Sequence, residues 1–398
     1  MKSLLHAIVF ALAAMLVVAL ATERGEAHKP ITSKYTYNDD VFPIFKERCA
    51  RCHVPGGVAP MSLMTYEEAF PWAESIRAEL VAAHMPPATA DEGVGQVSHA
   101  RSLTPEEVDV ILTWATGGNP RGAIDQKLPE VTLTNEWALG KPDLALQLPA
   151  EFTLPADSME ETHEFTLATG AKDARWVRAV DLLPGNPAIV RSAVITLKGS
   201  PGQVLARWLP GQDPQPLDGA AFRLPAGAEL VAQIRYKKTW SYEGKPMSDR
   251  SLVGVYFAAS QDAQELTPLL VTSSDIPTAV GRTFTFERAL DRDVKAFAIS
   301  PDRVPDNLTL EVDAVQPDGV RLPMIRFATR PDWGRRYWFS QALSLQRGTK
   351  IEVTGTVGDP DLIAAAFGGP VSPEKTAGPS RVTLALDVVA ARDKPSAP

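Results

Sequence analysis

The chain has 398 residues, 48 acidic side chains against 40 basic ones, and a formal net charge of −8 at pH 7. It carries no basic stripe, which argues against nucleic acid as a partner. Its length leaves room for two or three domains, and 34 prolines with 27 glycines suit many short strands joined by turns.

The first element is a predicted export signal. Lys2 precedes an apolar run over residues 4–21, broken only by His6. Ala19-Leu20-Ala21 and Gly25-Glu26-Ala27 both offer small-x-small cleavage sites, so residues 1–27 read as a signal peptide cut after Ala21 or Ala27. The alternative is a retained membrane anchor, since the run approaches spanning length. The mature protein is expected to be periplasmic or otherwise exported, and to meet a membrane only if this segment is retained. Cleavage after Ala27 would leave His28 as an amino-terminal copper chelator.

A helix is predicted next, capped by Asp40 and running to Arg48, with Pro43 in its first turn. It leads into "RCARCHVPGG", which holds both cysteines of the chain, Cys49 and Cys52, with His53 directly behind them. Three chemistries use two thiols at this spacing: a redox disulfide, a zinc site and covalent haem attachment. No strand precedes Cys49, as a redox motif of the thioredoxin type would have. Zinc would draw on Cys49, Cys52 and one or two of His53, His84 and His99, but no second ligand pair has finger spacing. C-x-x-C-H is the attachment signature of c-type haem: two thioethers fix the porphyrin and the histidine ligates iron. Haem is therefore the expected cofactor, one per chain and covalent, with His53 as proximal ligand.

Two further helices follow. Thr65-Tyr66-Glu67-Glu68 and Thr104-Pro105-Glu106-Glu107 are capping boxes. The second helix aligns Ala69, Trp72, Ile76, Leu80 and Ala83 on one face; the third shows Val108, Ile111, Leu112 and Ala115 and stops at Gly117-Gly118. Between them lie the candidates for a second axial ligand: Met61, Met64, Met85, His84 and His99. Met85 is preferred, because Pro86-Pro87 forces an extended backbone just after a helix and a thioether paired with histidine suits an electron carrier. His84 is the runner-up and would give a bis-histidine iron of lower potential.

"VFPIFKERCARCHVPGGVAPMSLMTYEEAFPWAESIRAEL", "HMPPA" and "RSLTPEEVDVILTWATGG" together resemble a bacterial monohaem cytochrome c domain over residues 38–120. The family's distal methionine lies in an "MPPW" element, which falls on Met85; Ala88 stands where the tryptophan usually does. Such proteins commonly continue into a region similar to copper type II, ascorbate-dependent monooxygenases.

Beyond about residue 123 the helical period gives way to short alternating runs, among them "WVRAVDLLP", "AFRLPAGAELVAQIRYKK", "VKAFAIS" and "TKIEVTGTVG", with turns such as Pro184-Gly185-Asn186-Pro187 between them. Antiparallel sandwiches are predicted. The expected class is a multidomain α + β chain: a small all-α cytochrome c domain over 28–122, then two jelly-roll-like β-sandwich domains over 123–270 and 271–398.

"ARWVRAVDLLPGNPAIVRSAVITLKG" and "VKAFAISPDRVPDNLTLEVDAVQPDG" resemble the two sandwiches of the peptidylglycine hydroxylating monooxygenase type. The family's copper ligands do not carry over. Arg191-Ser192 replaces its paired histidines, Gln233-Ile234-Arg235-Tyr236 its third histidine strand, and Ser300-Pro301-Asp302 its His-x-His. No methionine follows Met324. Of the six histidines, only His163 lies in the β region, and copper sites need convergent nitrogens.

The expected function is single-electron transfer by an exported c-type cytochrome, with no catalytic residues and a copper-free β region for docking or assembly. Its partner would be a redox protein or a larger respiratory or oxidoreductase assembly. The alternatives are a copper-dependent monooxygenase fed by its own haem and a structural haem-bearing subunit.

Overall fold

A computed structural model describes residues 32–87, 90–91, 93–98, 102–259, 263–330, 333–358 and 381–391. The predicted signal peptide, His28, Ala88 and His99 lie outside them. Among the described residues no helix is long and apolar enough to cross a membrane.

The chain starts with a helical stretch, α1, made of the abutting segments Tyr37–Val41, Phe42–Ile44 and Phe45–Cys49. Thr36, not Asp40, caps it: its hydroxyl accepts from the Asp39 N–H at 3.3 Å, while the Asp40 carboxylate accepts from the Thr36 N–H at 2.7 Å. Starting at Tyr37 buries both Tyr37 and Val41. Pro43 consequently lies in the second turn rather than the first, and wide five-residue turns stand on both sides of the position where the ladder lacks a donor. The next stretch, α2, spans Tyr66–Ala69, Phe70–Trp72 and Ala73–Val81. α3 spans Pro105–Thr116. Both begin at the predicted threonine caps; at α3 the box is complete, with the Glu107 N–H on the Thr104 hydroxyl at 3.2 Å and the Thr104 N–H on the Glu107 carboxylate at 2.8 Å. Tyr37, Phe45, Ile111 and Trp114 form the small core between them.

Nineteen strands follow among the described residues. In the first sandwich a five-stranded sheet, ordered β1 (Leu144–Gln147), β10 (Leu252–Phe257), β4 (Arg175–Leu183), β7 (Ala220–Leu224) and β11 (Gln264–Glu265), faces a four-stranded sheet, ordered β3 (Glu160–Ala168), β8 (Glu229–Lys237), β5 (Val190–Leu197) and β6 (Ser200–Trp208). The strands that place the site are β5, β6 and β8. Strict alternation shapes β8: Leu230, Ala232, Ile234 and Tyr236 are buried while their neighbours face outward. In the second sandwich a sheet ordered β12 (Thr267–Thr272), β19 (Thr383–Ala390), β14 (Val294–Arg303) and β17 (Tyr337–Leu345) faces one ordered β13 (Thr283–Ala289), β18 (Lys350–Val357), β15 (Leu308–Val315) and β16 (Arg321–Ala328). There, β14, β16, β17 and β19 carry the contacts described below. Each sandwich has its own apolar core.

The expected α + β class, led by a small all-α domain, is corrected: the chain is predominantly β-sandwich, and its helices are few and short. The reason lies between α2 and α3. Residues 90–91 and 93–98 join the second sandwich, not a helical unit. Ala90 bridges Phe327 of β16 and Val97 bridges Phe339 of β17. The Asp91 N–H donates to Arg326 O at 2.7 Å, and the Ser98 N–H to Trp338 O at 2.8 Å. Ala90 and Val97 are buried in the second sandwich's core. Gly95 lies so close to β16 that a Cβ there would sit 1.8 Å from Met324 O.

A buried arginine, ion-paired within the second sandwich, ties that sandwich to the first. Arg336 Nε stands 2.8 Å from Asp387 Oδ2, with side chains 4 % and 6 % exposed. The same guanidinium donates to Leu205 O at 3.1 Å and Val204 O at 2.6 Å of β6.

Candidate functional site

Cys49 ends α1, and the chain turns tightly over it: the Cys52 N–H donates to Cys49 O at 3.0 Å and the His53 N–H to the same oxygen at 2.9 Å. Gly57 is required for the next turn, because a Cβ there would lie 2.4 Å from Cys52 O. The two thiols are unpaired. Burial pushes Cys49 up to about 12 and Cys52 up to about 11. Both are therefore protonated near neutrality, the reverse of the low-pKa thiolate a redox dithiol needs.

His53 Nδ1 lies 3.1 Å from Met61 O. A carbonyl only accepts, so Nδ1 carries the proton and Nε2 keeps its lone pair in the neutral ring. Burial also holds His53 below its ordinary range, which favours that neutral form. A backbone carbonyl fixing the tautomer of a histidine is the outer-shell arrangement that metal-ligating imidazoles use.

Cys49, Cys52, His53 and Met85 all line one cavity of about 470 Å³, within the size range of cofactor sites. Its helical wall is mostly apolar, with Phe45, Leu63, Trp72, Ile76 and Ile111. Met85 arrives from the far end of α2. Ala83 stops that helix in the left-handed region at φ 51°. The His84 and Met85 N–H groups then return to Glu79 O at 2.8 and 3.3 Å. His84 itself is turned onto the Glu79 carboxylate, Nδ1 to Oε2 3.1 Å, and does not line the cavity. Met61 lines it too, on the wall that holds His53; Met64 is buried in the helical core instead.

The residues fit a c-type haem: two thiols and an oriented imidazole on one wall, a thioether from another, and apolar surface between. The thioether positions would be Cys49 and Cys52, and the iron ligands His53 Nε2 and Met85 Sδ.

The other walls come from the sandwiches, which sequence reasoning did not foresee. Arg191 of β5, the 209–212 loop after β6, and Trp333 and Arg335 before β17 complete the cavity. Arg51 forks onto Asp213, with Nη2 to Oδ2 at 3.0 Å and a second, shorter contact from Nη1 to Oδ1. Cys52 Sγ lies 3.9 Å from Pro210 O. No local signal marks these partners, because some 160 residues of chain separate them from the haem motif.

The positions that align with monooxygenase copper ligands are engaged with protein groups. Arg191 donates to Lys237 O at 3.2 Å and to Val58 O. Arg235 pairs with Glu160, Nε to Oε1 2.6 Å. Ser300 is buried, and Asp302 accepts from Arg207 at 3.0 Å. His163 is exposed on β3 (Glu160–Ala168), its ring 4.8 Å from that of Phe152.

No family model matches the chain, and no curated protein matches it. Among solved structures it is similar to the major capsid protein P2 from bacteriophage PM2 at 8% identity and TM-score 0.27, covering 63% of this chain and 98% of that one. An oxalate decarboxylase aligns at 7% identity and TM-score 0.18, covering 68% and 85%. Vicilin from Capsicum annuum aligns at 9% and 0.14, covering 64% and 83%. Likenesses this weak carry no argument about what the chain does, and none bears on the cytochrome or monooxygenase resemblances.

Proposed function

We propose that the protein is an exported c-type cytochrome that carries single electrons through one covalent haem. Cys49 and Cys52 hold the haem, His53 is its proximal ligand and Met85 its distal one. The observation that carries this reading is the convergence of Cys49, Cys52, His53 and Met85 on one cavity, with the His53 tautomer held by Met61 O. Haem bound there supplies a one-electron iron couple. The chain's own part is to keep Nε2 of His53 unprotonated, to offer a thioether that raises the potential, and to exclude water with apolar side chains. The β region works without copper in this reading. Arg191 and Arg235 stand where imidazoles would be needed, and a guanidinium offers no lone pair. The electron partner is a redox protein or a larger oxidoreductase assembly.

The test is acid-acetone extraction of the purified protein, with metal counted against haem. Haem that stays with the polypeptide, one per chain, and disappears in a Cys49→Ser/Cys52→Ser variant is expected. Haem that extracts into the solvent refutes the thioether assignment. Stoichiometric copper that survives a mild chelator, with ascorbate-driven oxygen uptake, replaces this reading by the monooxygenase one.

A further inference from the structure

Met85 stands between two attachments to the second sandwich, one on each side of it in the chain. On its amino-terminal side, Arg330, two residues beyond β16, donates through Nη2 to Ala83 O at 3.4 Å. Ala83 is the residue that turns the chain at the end of α2. Glu79, whose carbonyl receives the His84 and Met85 N–H groups, lies within electrostatic reach of the same guanidinium. On the carboxy-terminal side, residues 90–91 and 93–98 meet two strand edges. β16 is the outer strand of one sheet of the second sandwich, and β17 is the outer strand of the other. The Asp91 N–H donates to Arg326 O at 2.7 Å, the Ser98 N–H to Trp338 O at 2.8 Å, and the Ser340 N–H to Gln96 O at 2.7 Å. Arg326 Nε also meets Asp91 Oδ2 at 3.2 Å. These bonds cover part of both open edges, and Ala90 and Val97 are sunk in the core of that sandwich. Met85 itself is outside the helix, since α2 ends at Val81.

We propose that the second sandwich positions the distal haem ligand: Arg330 at the α2 turn and the edge pairing of residues 90–91 and 93–98 together hold Met85 Sδ on the iron. This rests on the haem reading above. Arg330 is a positioning residue in this arrangement. It does not line the cavity, and it acts on the haem through the chain at Ala83. The iron site needs such support. A thioether is a soft, neutral ligand and oxidised iron is a harder acid, so an imidazole competes well for the same position. How firmly the chain holds Sδ then decides whether the thioether stays. To admit an outside ligand, Met85 has to swing away, and that motion breaks the bonds that hold its chain. The net contribution of one hydrogen bond is worth about two- to tenfold in such an equilibrium. The β region thereby takes part in electron transfer: it keeps on the iron the ligand that raises the potential.

The experiment is a titration of the oxidised, full-length holoprotein with imidazole, followed by its absorption spectrum, with haem per chain measured in every sample. Arg330→Met removes the bond to Ala83 O and should bind imidazole about two- to tenfold more tightly than the parent. Arg330→Lys keeps a donor and should return most of the way to the parent value. Gly95→Ala, which drives a Cβ onto Met324 O of β16, should also tighten imidazole binding more than twofold. Hydrogen exchange at the His84 and Met85 amides, which donate to Glu79 O, should quicken in Arg330→Met by a similar factor. The control is Val353→Ala, a core truncation on β18 of the same sandwich; it weakens the domain without touching either attachment and should stay within twofold of the parent. If Gly95→Ala does not fold, Arg330→Met alone carries the test. Haem-loaded Arg330→Met or Gly95→Ala protein that binds imidazole within twofold of the parent, or a control that moves as far as they do, overturns the positioning role and leaves the haem reading intact. A Met85→Ala variant that binds imidazole no more tightly than the parent overturns the distal assignment and the positioning role with it. A parent protein with no covalent haem overturns the haem reading as well.

Discussion

Replacing Arg336 by methionine probes the clamp that brings the two sandwich walls of the cavity together. The wild-type guanidinium stands 2.8 Å from Asp387, with the two side chains 4 % and 6 % exposed. It also ties Val204 O and Leu205 O of β6 to the chain that carries Arg335. Removing one member of a buried pair costs about 3–5 kcal/mol, because the other is left uncompensated. Asp387 has one escape, which is to take up a proton. Burial already raises its pKa against the pull of Arg336, and losing the guanidinium raises it further. A folded-state pKa above the unfolded one makes the folded state hold the extra proton, so stability falls as pH rises. If the carboxyl stays neutral in the folded variant, that proton costs about 4 kcal/mol at pH 7 and about 1.5 kcal/mol at pH 5, at 1.36 kcal/mol per unit above about 3.9. Arg336→Met should therefore lose about 3–5 kcal/mol at pH 7 and noticeably less at pH 5. Urea titration followed by tryptophan fluorescence at both pH values measures this. Adding Asp387→Leu should recover most of the loss, since apolar replacement of both partners is often near neutral. A loss under 1 kcal/mol at pH 7, a loss independent of pH, or a double variant as unstable as the single one would refute the reasoning.

Met85→Ala should abolish the weak red-end absorption that a thioether gives to oxidised haem iron, and His84→Ala should leave it; the opposite result would assign a bis-histidine iron. Gly95→Ala should destabilise the protein by about 1–3 kcal/mol more than Gly93→Ala does, since it adds to a positive φ a Cβ driven onto Met324 O. Gly93→Ala, also at positive φ but facing open space, should cost only about 1–2 kcal/mol; equal thermal shifts in the two variants would mean that Gly95 does not pack on β16 as described.

Features that depend on neighbours in sequence were legible before any fold was known. A threonine followed three residues later by glutamate satisfies orphan N–H groups wherever it occurs, so α2 and α3 begin at Thr65 and Thr104 as expected. Alternation buries one face of β8 and β15 (Leu308–Val315), which made sandwiches predictable. The spacing of Cys49, Cys52 and His53 is likewise local, and so is the proline pair that drew attention to Met85.

The tertiary structure decided the rest, because the deciding partners are remote. Thr36 prevails over Asp40 as the cap since that choice buries Tyr37 and Val41. The proline pair favoured Met85 over His84 without showing where either side chain goes; the Ala83 turn sends Met85 to the cavity while Glu79 holds His84 aside. The stretch between α2 and α3 carries no strand signature, yet Ala90, Asp91, Gln96, Val97 and Ser98 pair their backbone with β16 and β17, and that undoes the all-α domain. Arg191 reads in sequence only as a missing copper ligand. It becomes a cavity wall because β5 is packed against the chain at Val58, 133 residues earlier, and no periodicity or spacing encodes a contact at that separation.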